Sequence, residues 1–155
     1  MQGPKKDFAE WLDFIRGIVE ENVPLNKILG IKLESLDMDG ACLKVAMKEE
    51  LVGNYVQGIL HGGVISTLLD VTGSVTAYIG VLKELSGRPL AEIEKSLGNI
   101  ITIDLRIDYL RPGKGEYFVA SGSILRLGRK FCVIRTQLQN DQGKLIAVGT
   151  GTHIL

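Results

Sequence analysis

One carboxylate stands alone in a long apolar run: from Gly62 to Leu82, Asp70 is the sole charged side chain. Burying a carboxylate costs free energy unless hydrogen bonds offset it or a reaction requires it there. At helical spacing Ser66, Asp70, Gly73, Ser74 and Ala77 share a face, so the carboxylate would lie among small or hydroxylated side chains. The alternative is an aspartate held for structure alone by Ser66, Thr67 or Ser74.

Immediately before this run stands Leu60-His61-Gly62-Gly63. Two glycines at a helix start leave backbone N–H groups unshielded and without intrahelical partners. Such a terminus favours negative charge, including the oxyanion formed when a thioester carbonyl is attacked. Gly62 and Asp70 are separated along one helix by about 12 Å, at roughly 1.5 Å per residue. They cannot grip one carbonyl within a subunit. If both act on the same thioester, two such helices must meet across a two-fold axis, which predicts a homodimer with two equivalent sites.

The elements that would position these groups read clearly. Phe8, Trp11, Leu12, Ile15 and Val19 recur at three- and four-residue steps, predicting an amphipathic helix that stops near Pro24. Strands are expected over 31–38 and 41–48, with Asp39-Gly40 as a tight turn in which glycine accepts positive φ. The apolar helix follows, then a short helix between Pro89 and Leu97. Over 101–109, strict alternation sets Ile101, Ile103, Leu105, Ile107 and Tyr109 on one face and Thr102, Asp104, Arg106 and Asp108 on the other. Three further strands are expected near 116–127, 130–139 and 144–155. The fold class is therefore α+β: one domain, with a helical segment over 1–24 and a core over 25–155, in which an antiparallel sheet buries its apolar face on the long helix.

Composition narrows the function. Eighteen basic and eighteen acidic residues cancel to a formal net charge of +0, with 45% hydrophobic and 23% charged residues, which argues against a nucleic-acid partner. Cys42 and Cys132 lack the spacing of a zinc site, so no metal is expected. Asp7, Glu10 and Asp13 interrupt any apolar signal core, pointing to a cytoplasmic protein. The glycines and hydroxyls of the 62–82 run suit a buried helix better than a membrane span.

Gly58-Ile59-Leu60-His61-Gly62-Gly63-Val64, with Asp70 downstream, resembles the signature of PaaI-type hotdog-fold thioesterases. The block from Thr102 to Gly113 resembles the strand and turn that follow the central helix in that family. With Val52-Gly53-Asn54 and the segment from Pro89 to Leu97, the chain looks most like the bacterial medium- and long-chain acyl-CoA thioesterases of the YigI type.

The resemblance implies a hotdog fold, a long central helix wrapped by antiparallel strands, assembled as a homodimer with sites at its interface and paired again into a homotetramer. It implies hydrolysis of acyl-CoA with no cofactor, CoA being part of the substrate. Asp70 would be nucleophile or general base. Gly62 and Gly63 would offer backbone N–H groups to the thioester oxygen, His61 would brace the turn, and Ser74 would help orient water or the carboxylate. Asn54 or Gln57 would supply an amide, and Thr102 would reach the site from a neighbouring strand. Arg111, Arg129 and Lys130, together with Lys114 and Arg126, cluster at turns near which relatives bind CoA. The competing readings are a non-catalytic acyl-CoA sensor, from which Asp70 would be expected to be missing, and a hydratase, which would carry its histidine and acid in other contexts.

Overall fold

The computed structural model describes residues 7–85 and 87–155; the start of the expected N-terminal helical segment lies outside them. Helix α1 (Phe8–Gly17) begins with a reciprocal cap, the Asp7 carboxylate accepting from the Glu10 N–H and the Glu10 carboxylate from the Asp7 N–H. Trp11 and Ile15 are buried on its inner face. The chain continues through a π-helical turn (Ile18–Asn22) that buries Val19. Pro24 then opens a further helix, α2 (Pro24–Leu29), instead of ending helical structure. At the first helical position proline loses nothing, because its missing N–H would have had no partner there. Gly30, at φ 76°, closes α2 in the left-handed region. Glu20 ties this segment to the sheet by accepting from Lys32 Nζ at 3.0 Å and from the Leu33 N–H at 2.9 Å.

Six strands form one antiparallel sheet: β1 (Lys32–Leu36), β2 (Gly40–Ala46), β5 (Ile101–Tyr109), β6 (Tyr117–Leu127), β7 (Phe131–Asn140) and β8 (Leu145–Ile154). Their spatial order is β1-β2-β6-β7-β8-β5, so β5 is an edge. A two-stranded ribbon, β3 (Val52–Asn54) with β4 (Ile59–Leu60), stands apart and was not foreseen from the sequence. The hairpin between β1 and β2 turns on the Asp37 carboxylate, which accepts from the N–H groups of Asp39 and Gly40. Gly40 does not serve there through positive φ as expected. It pairs with Ser123 in the sheet, and a Cβ on it would strike the Gly122 carbonyl.

Helix α3 (Gly62–Glu84) lies across the sheet, chiefly over β6 and β7, and the short α4 (Leu90–Gly98) packs on it. Its own Leu68, Leu69 and Ile79 are fully buried, each stabilising the fold by about 1.5–3 kcal/mol. Thr72 and Thr76 are also buried, and their hydroxyls are satisfied by the carbonyls one turn back, Leu68 at 2.6 Å and Thr72 at 2.7 Å. Gly122 on β6 admits the Thr76 side chain, with which a Cβ would overlap. Among the described residues α3 is the one helix long and apolar enough to cross a membrane, and most of its apolar stretch is buried inside the fold. A long helix wrapped by an antiparallel sheet is the hotdog arrangement.

Strand β5 departs from the strict alternation expected of it. Thr102 pairs with His153 and Asp104 with Thr152, leaving Ile103 as the extra residue of a bulge. Because the side-chain period is two, the bulge resets the faces. Thr102 and Leu105 both point toward α3, while Ile101 and Ile103 are 58% and 52% exposed.

Candidate active site

Two parts of α3 carry the groups of interest, and β5 touches both. At the N-terminus, His61 caps the helix, its Nδ1 accepting from the Gly63 N–H at 2.8 Å. The His61 N–H in turn donates to the Leu51 carbonyl at 2.8 Å, and Gly53 packs so closely on the imidazole that a Cβ there would lie 2.9 Å from it. Leu60 donates to the Gly113 carbonyl, fixing the strand that leads into the turn. The two glycines therefore differ. Gly63 has its N–H engaged by His61, whereas the Gly62 N–H forms no hydrogen bond among the described residues. It is the one donor of the pair left for a ligand. Tyr109, at the far end of β5, donates its hydroxyl to the Gly62 carbonyl at 3.2 Å. An open cleft of about 380 Å³ borders this turn, lined by Ile59, Leu60, Ile65, Tyr109 and Arg111.

Two turns further along α3, Asp70 is half-buried. Neither Ser66 nor Thr67 holds it, since both hydroxyls donate to the Gly63 carbonyl, at 3.0 and 2.8 Å. Ser74 also makes no hydrogen bond to it. The partner is instead Thr102 on β5, whose Oγ1 donates to Asp70 Oδ1 at 2.8 Å. The same Oγ1 lies 3.3 Å from Nδ1 of His153 on β8. His153 is 1% exposed, and burial pushes its pKa below the ordinary value while the nearby Asp70 charge partly opposes that shift.

His153 escaped the sequence reading. The signal was present in the inward-facing row of the last strand, where Gly149, Gly151 and His153 alternate. A single imidazole in a row of glycines marks a side chain given room.

The remaining sequence candidates are less close to these groups. Asn54 is exposed, and its side-chain oxygen accepts from the N–H groups of Val56 and Gln57, so it shapes the loop between β3 and β4. Gln57 is exposed in that loop. The cations do not form one cluster within a chain. Arg111 donates to the Leu145 carbonyl at the start of β8, whereas Lys130 accepts from Leu155 at its end. Strand β8 between them spans about 30 Å at roughly 3.3 Å per residue. Arg126, Arg129 and Lys130 line a separate open depression with Ile103 and Phe131. No group of three or more histidine, cysteine or acidic side chains suited to a metal occurs among the described residues.

Comparison with known proteins agrees with this architecture. The medium/long-chain acyl-CoA thioesterase YigI of Escherichia coli K12 is 40% identical over 134 residues, covering 86% of each chain. The crystal structure of a Shewanella oneidensis protein related to the thioesterase superfamily superposes with a TM-score of 0.90 at 42% identity, covering 94% of this chain and 95% of that one. The fold is shared with Escherichia coli PaaI, from the phenylacetic acid degradation operon, at a TM-score of 0.68 and 22% identity over 86% and 85% of the two chains. The profile of the thioesterase superfamily matches residues 57–147, more than half of the sequence, and the chain belongs to that superfamily.

Proposed function

We propose that this protein hydrolyses acyl-CoA thioesters carrying medium or long acyl chains, at two equivalent sites shared between the subunits of a homodimer. The observation that carries the reading is the pairing of a carboxylate held at one oxygen, Asp70, with an unengaged backbone donor, Gly62 N–H, on one helix of a thioesterase fold. The chain-length class rests on the 40% identical relative.

The edge strand β5 supports the two-fold arrangement. It is a sheet edge with unpaired backbone groups and exposed isoleucines, which an isolated sheet would be expected to protect. One end of β5 touches Asp70 through Thr102, and the other touches Gly62 through Tyr109. Antiparallel pairing of two β5 edges sets the Thr102 end of one chain beside the Tyr109 end of the other. The Asp70 of one subunit then approaches the Gly62 turn of its partner, removing the 12 Å separation that about eight residues of helix impose. The same pairing carries Arg111 of one chain toward the Arg129–Lys130 end of the other, assembling cations for the phosphates of CoA.

In this site the thioester oxygen sits on the Gly62 N–H, where the helix terminus favours developing negative charge. Asp70, with Oδ1 occupied by Thr102, uses its other oxygen to take a proton from water as that water attacks the carbonyl carbon. The tetrahedral intermediate then collapses, breaking the C–S bond and releasing the CoA thiolate, which takes up the proton, together with the free acid.

Free-thiol release from a panel of short-, medium- and long-chain acyl-CoA esters, with phenylacetyl-CoA included, tests the substrate. Asp70→Asn is expected to abolish turnover while ester binding persists. Turnover by that variant would remove the carboxylate from its role. Binding without turnover by the wild type would instead identify an acyl-CoA sensor, and preference for the aromatic ester would overturn the fatty-acyl assignment.

A further inference from the structure

We infer that His153 is a positioning residue for hydrolysis: its Nδ1–H donates to Thr102 Oγ1, which fixes the single hydroxyl proton of Thr102 on Asp70. The inference rests on Asp70 being the reacting carboxylate. An ionised carboxylate only accepts hydrogen bonds, and a threonine hydroxyl has one proton to give. The 2.8 Å contact to Asp70 Oδ1 uses that proton. The 3.3 Å contact to His153 must therefore run the other way, from Nδ1–H to Oγ1.

The imidazole is held so that this donation is its available geometry. A Cβ at Gly73 on α3 would lie 2.8 Å from Nε2, and one at Gly151 on β8 would lie 3.2 Å from the same atom. His153 is thus wedged between helix and strand at two positions where only glycine leaves space. The chain histidine to threonine to aspartate spans β8, β5 and α3, and it occupies Oδ1 alone. The remaining carboxylate oxygen is left to meet water. Without the histidine, the Thr102 hydroxyl keeps its rotational freedom and need not point at the carboxylate.

The two histidines of the sequence should accordingly be opposite tautomers. His61 accepts at Nδ1 from the Gly63 N–H and so carries its proton on Nε2, whereas neutral His153 carries it on Nδ1. Nitrogen-15 NMR of the wild-type protein labelled in histidine reads this directly, and a proton on Nε2 alone of His153 would overturn the inference.

A kinetic cycle supplies the second test. His153→Leu and Thr102→Val should each lower kcat about tenfold or more, with KM nearly unchanged. The double variant should be no slower than Thr102→Val, because the histidine acts through the hydroxyl. His153→Asn, whose amide can replace the Nδ1–H, should restore most of the loss. Multiplying costs in the double variant, or a folded His153→Asn as slow as His153→Leu, would sink the inference. Should His153→Leu fail to fold, the tautomer measurement and His153→Asn still decide it. Activity surviving in Asp70→Asn would count separately, against the underlying assignment of the carboxylate.

Discussion

Thr102 on the edge strand donates to Asp70 on the central helix at 2.8 Å, and it reaches that carboxylate because the strand bulges at the next residue. With unbroken alternation through Ile103, Thr102 and Leu105 would face opposite sides of the sheet. The bulge lets an apolar strand deliver one hydroxyl to a helix without giving up its core-facing Leu105 and Ile107. Bulges recur beside active sites because they re-aim a side chain in this way.

Removing the hydroxyl while keeping the shape isolates its contribution. A hydrogen bond to a charged group contributes about 1.5–3 kcal/mol, so Thr102→Val should lower kcat by roughly ten- to a hundredfold. Thr102→Ser should retain activity near that of the wild type. Steady-state acyl-CoA hydrolysis measures both, and an active valine variant would show that the carboxylate does not depend on this partner.

The cap at the helix start has a different signature. His61 holds the Gly63 N–H and leaves that of Gly62 unengaged. His61→Ala should cost about 1 kcal/mol of stability, the usual loss for a helix cap, and should also slow hydrolysis as the turn loosens. His61→Asn, able to cap through its side-chain oxygen, should recover the stability. Thermal unfolding and kcat measured on the same samples separate the two effects; equal stability in all three proteins would mean the cap is energetically idle.

The legibility of the sequence divides along the same physical line. Elements announced by periodicity were readable: the amphipathic N-terminal helix, the long apolar helix, and the strands from Tyr117 onward. The isolated Asp70 stands out as a candidate for a related reason, because burying a lone charge is costly. What could not be read depended on one residue of register or on contacts between distant segments. The bulge at Ile103 leaves no local signal, so alternation alone puts Thr102 on the polar face with Asp104. His153 lies fifty-one residues from Thr102, and nothing in the sequence between them announces their meeting. Pro24 reads in the sequence as a stop where the structure makes it a start, since proline at a first helical position and proline after a last one look alike without the flanking geometry.

Burial of His153 makes a prediction about pH and stability. Its folded pKa lies below the ordinary value of 6.5, because burial disfavours the cation more strongly than the Asp70 charge favours it. The ionisable groups near it on the packed elements are Asp70 on α3 and the Cys132 thiol on β7, which burial pushes up to about 11 and which stays neutral. As pH falls through 6.5, the unfolded chain gains a proton that the folded chain resists, so stability present above that pH is progressively lost below it. The melting temperature should fall between about pH 7.5 and 5.5, and His153→Asn should flatten that slope. An identical slope in the variant would assign the loss to other groups.

The register of the proposed dimer can be fixed by charge. A two-fold axis perpendicular to the joined sheets keeps opposing side chains on one face, so it must pass through a residue of β5. Centred on Arg106, it would set arginine against arginine and Asp104 against the partner's Asp108. Centred on Leu105, it sets Asp104 against the partner's Arg106 twice. Charge therefore rejects Arg106 and favours Leu105; an axis at Ile107 would set Arg106 against the partner's Asp108 but leave Asp104 without a charged partner across the axis, so substitution at Asp104 tells the two registers apart. Asp104→Lys should weaken the dimer by placing like charges across the axis, and with it lower activity at low protein concentration. Combining Asp104→Lys with Arg106→Glu should restore both. Sedimentation velocity alongside the hydrolysis assay measures the outcome: a dimer indifferent to either change would place the axis elsewhere, and a stable active monomer would end the shared-site reading.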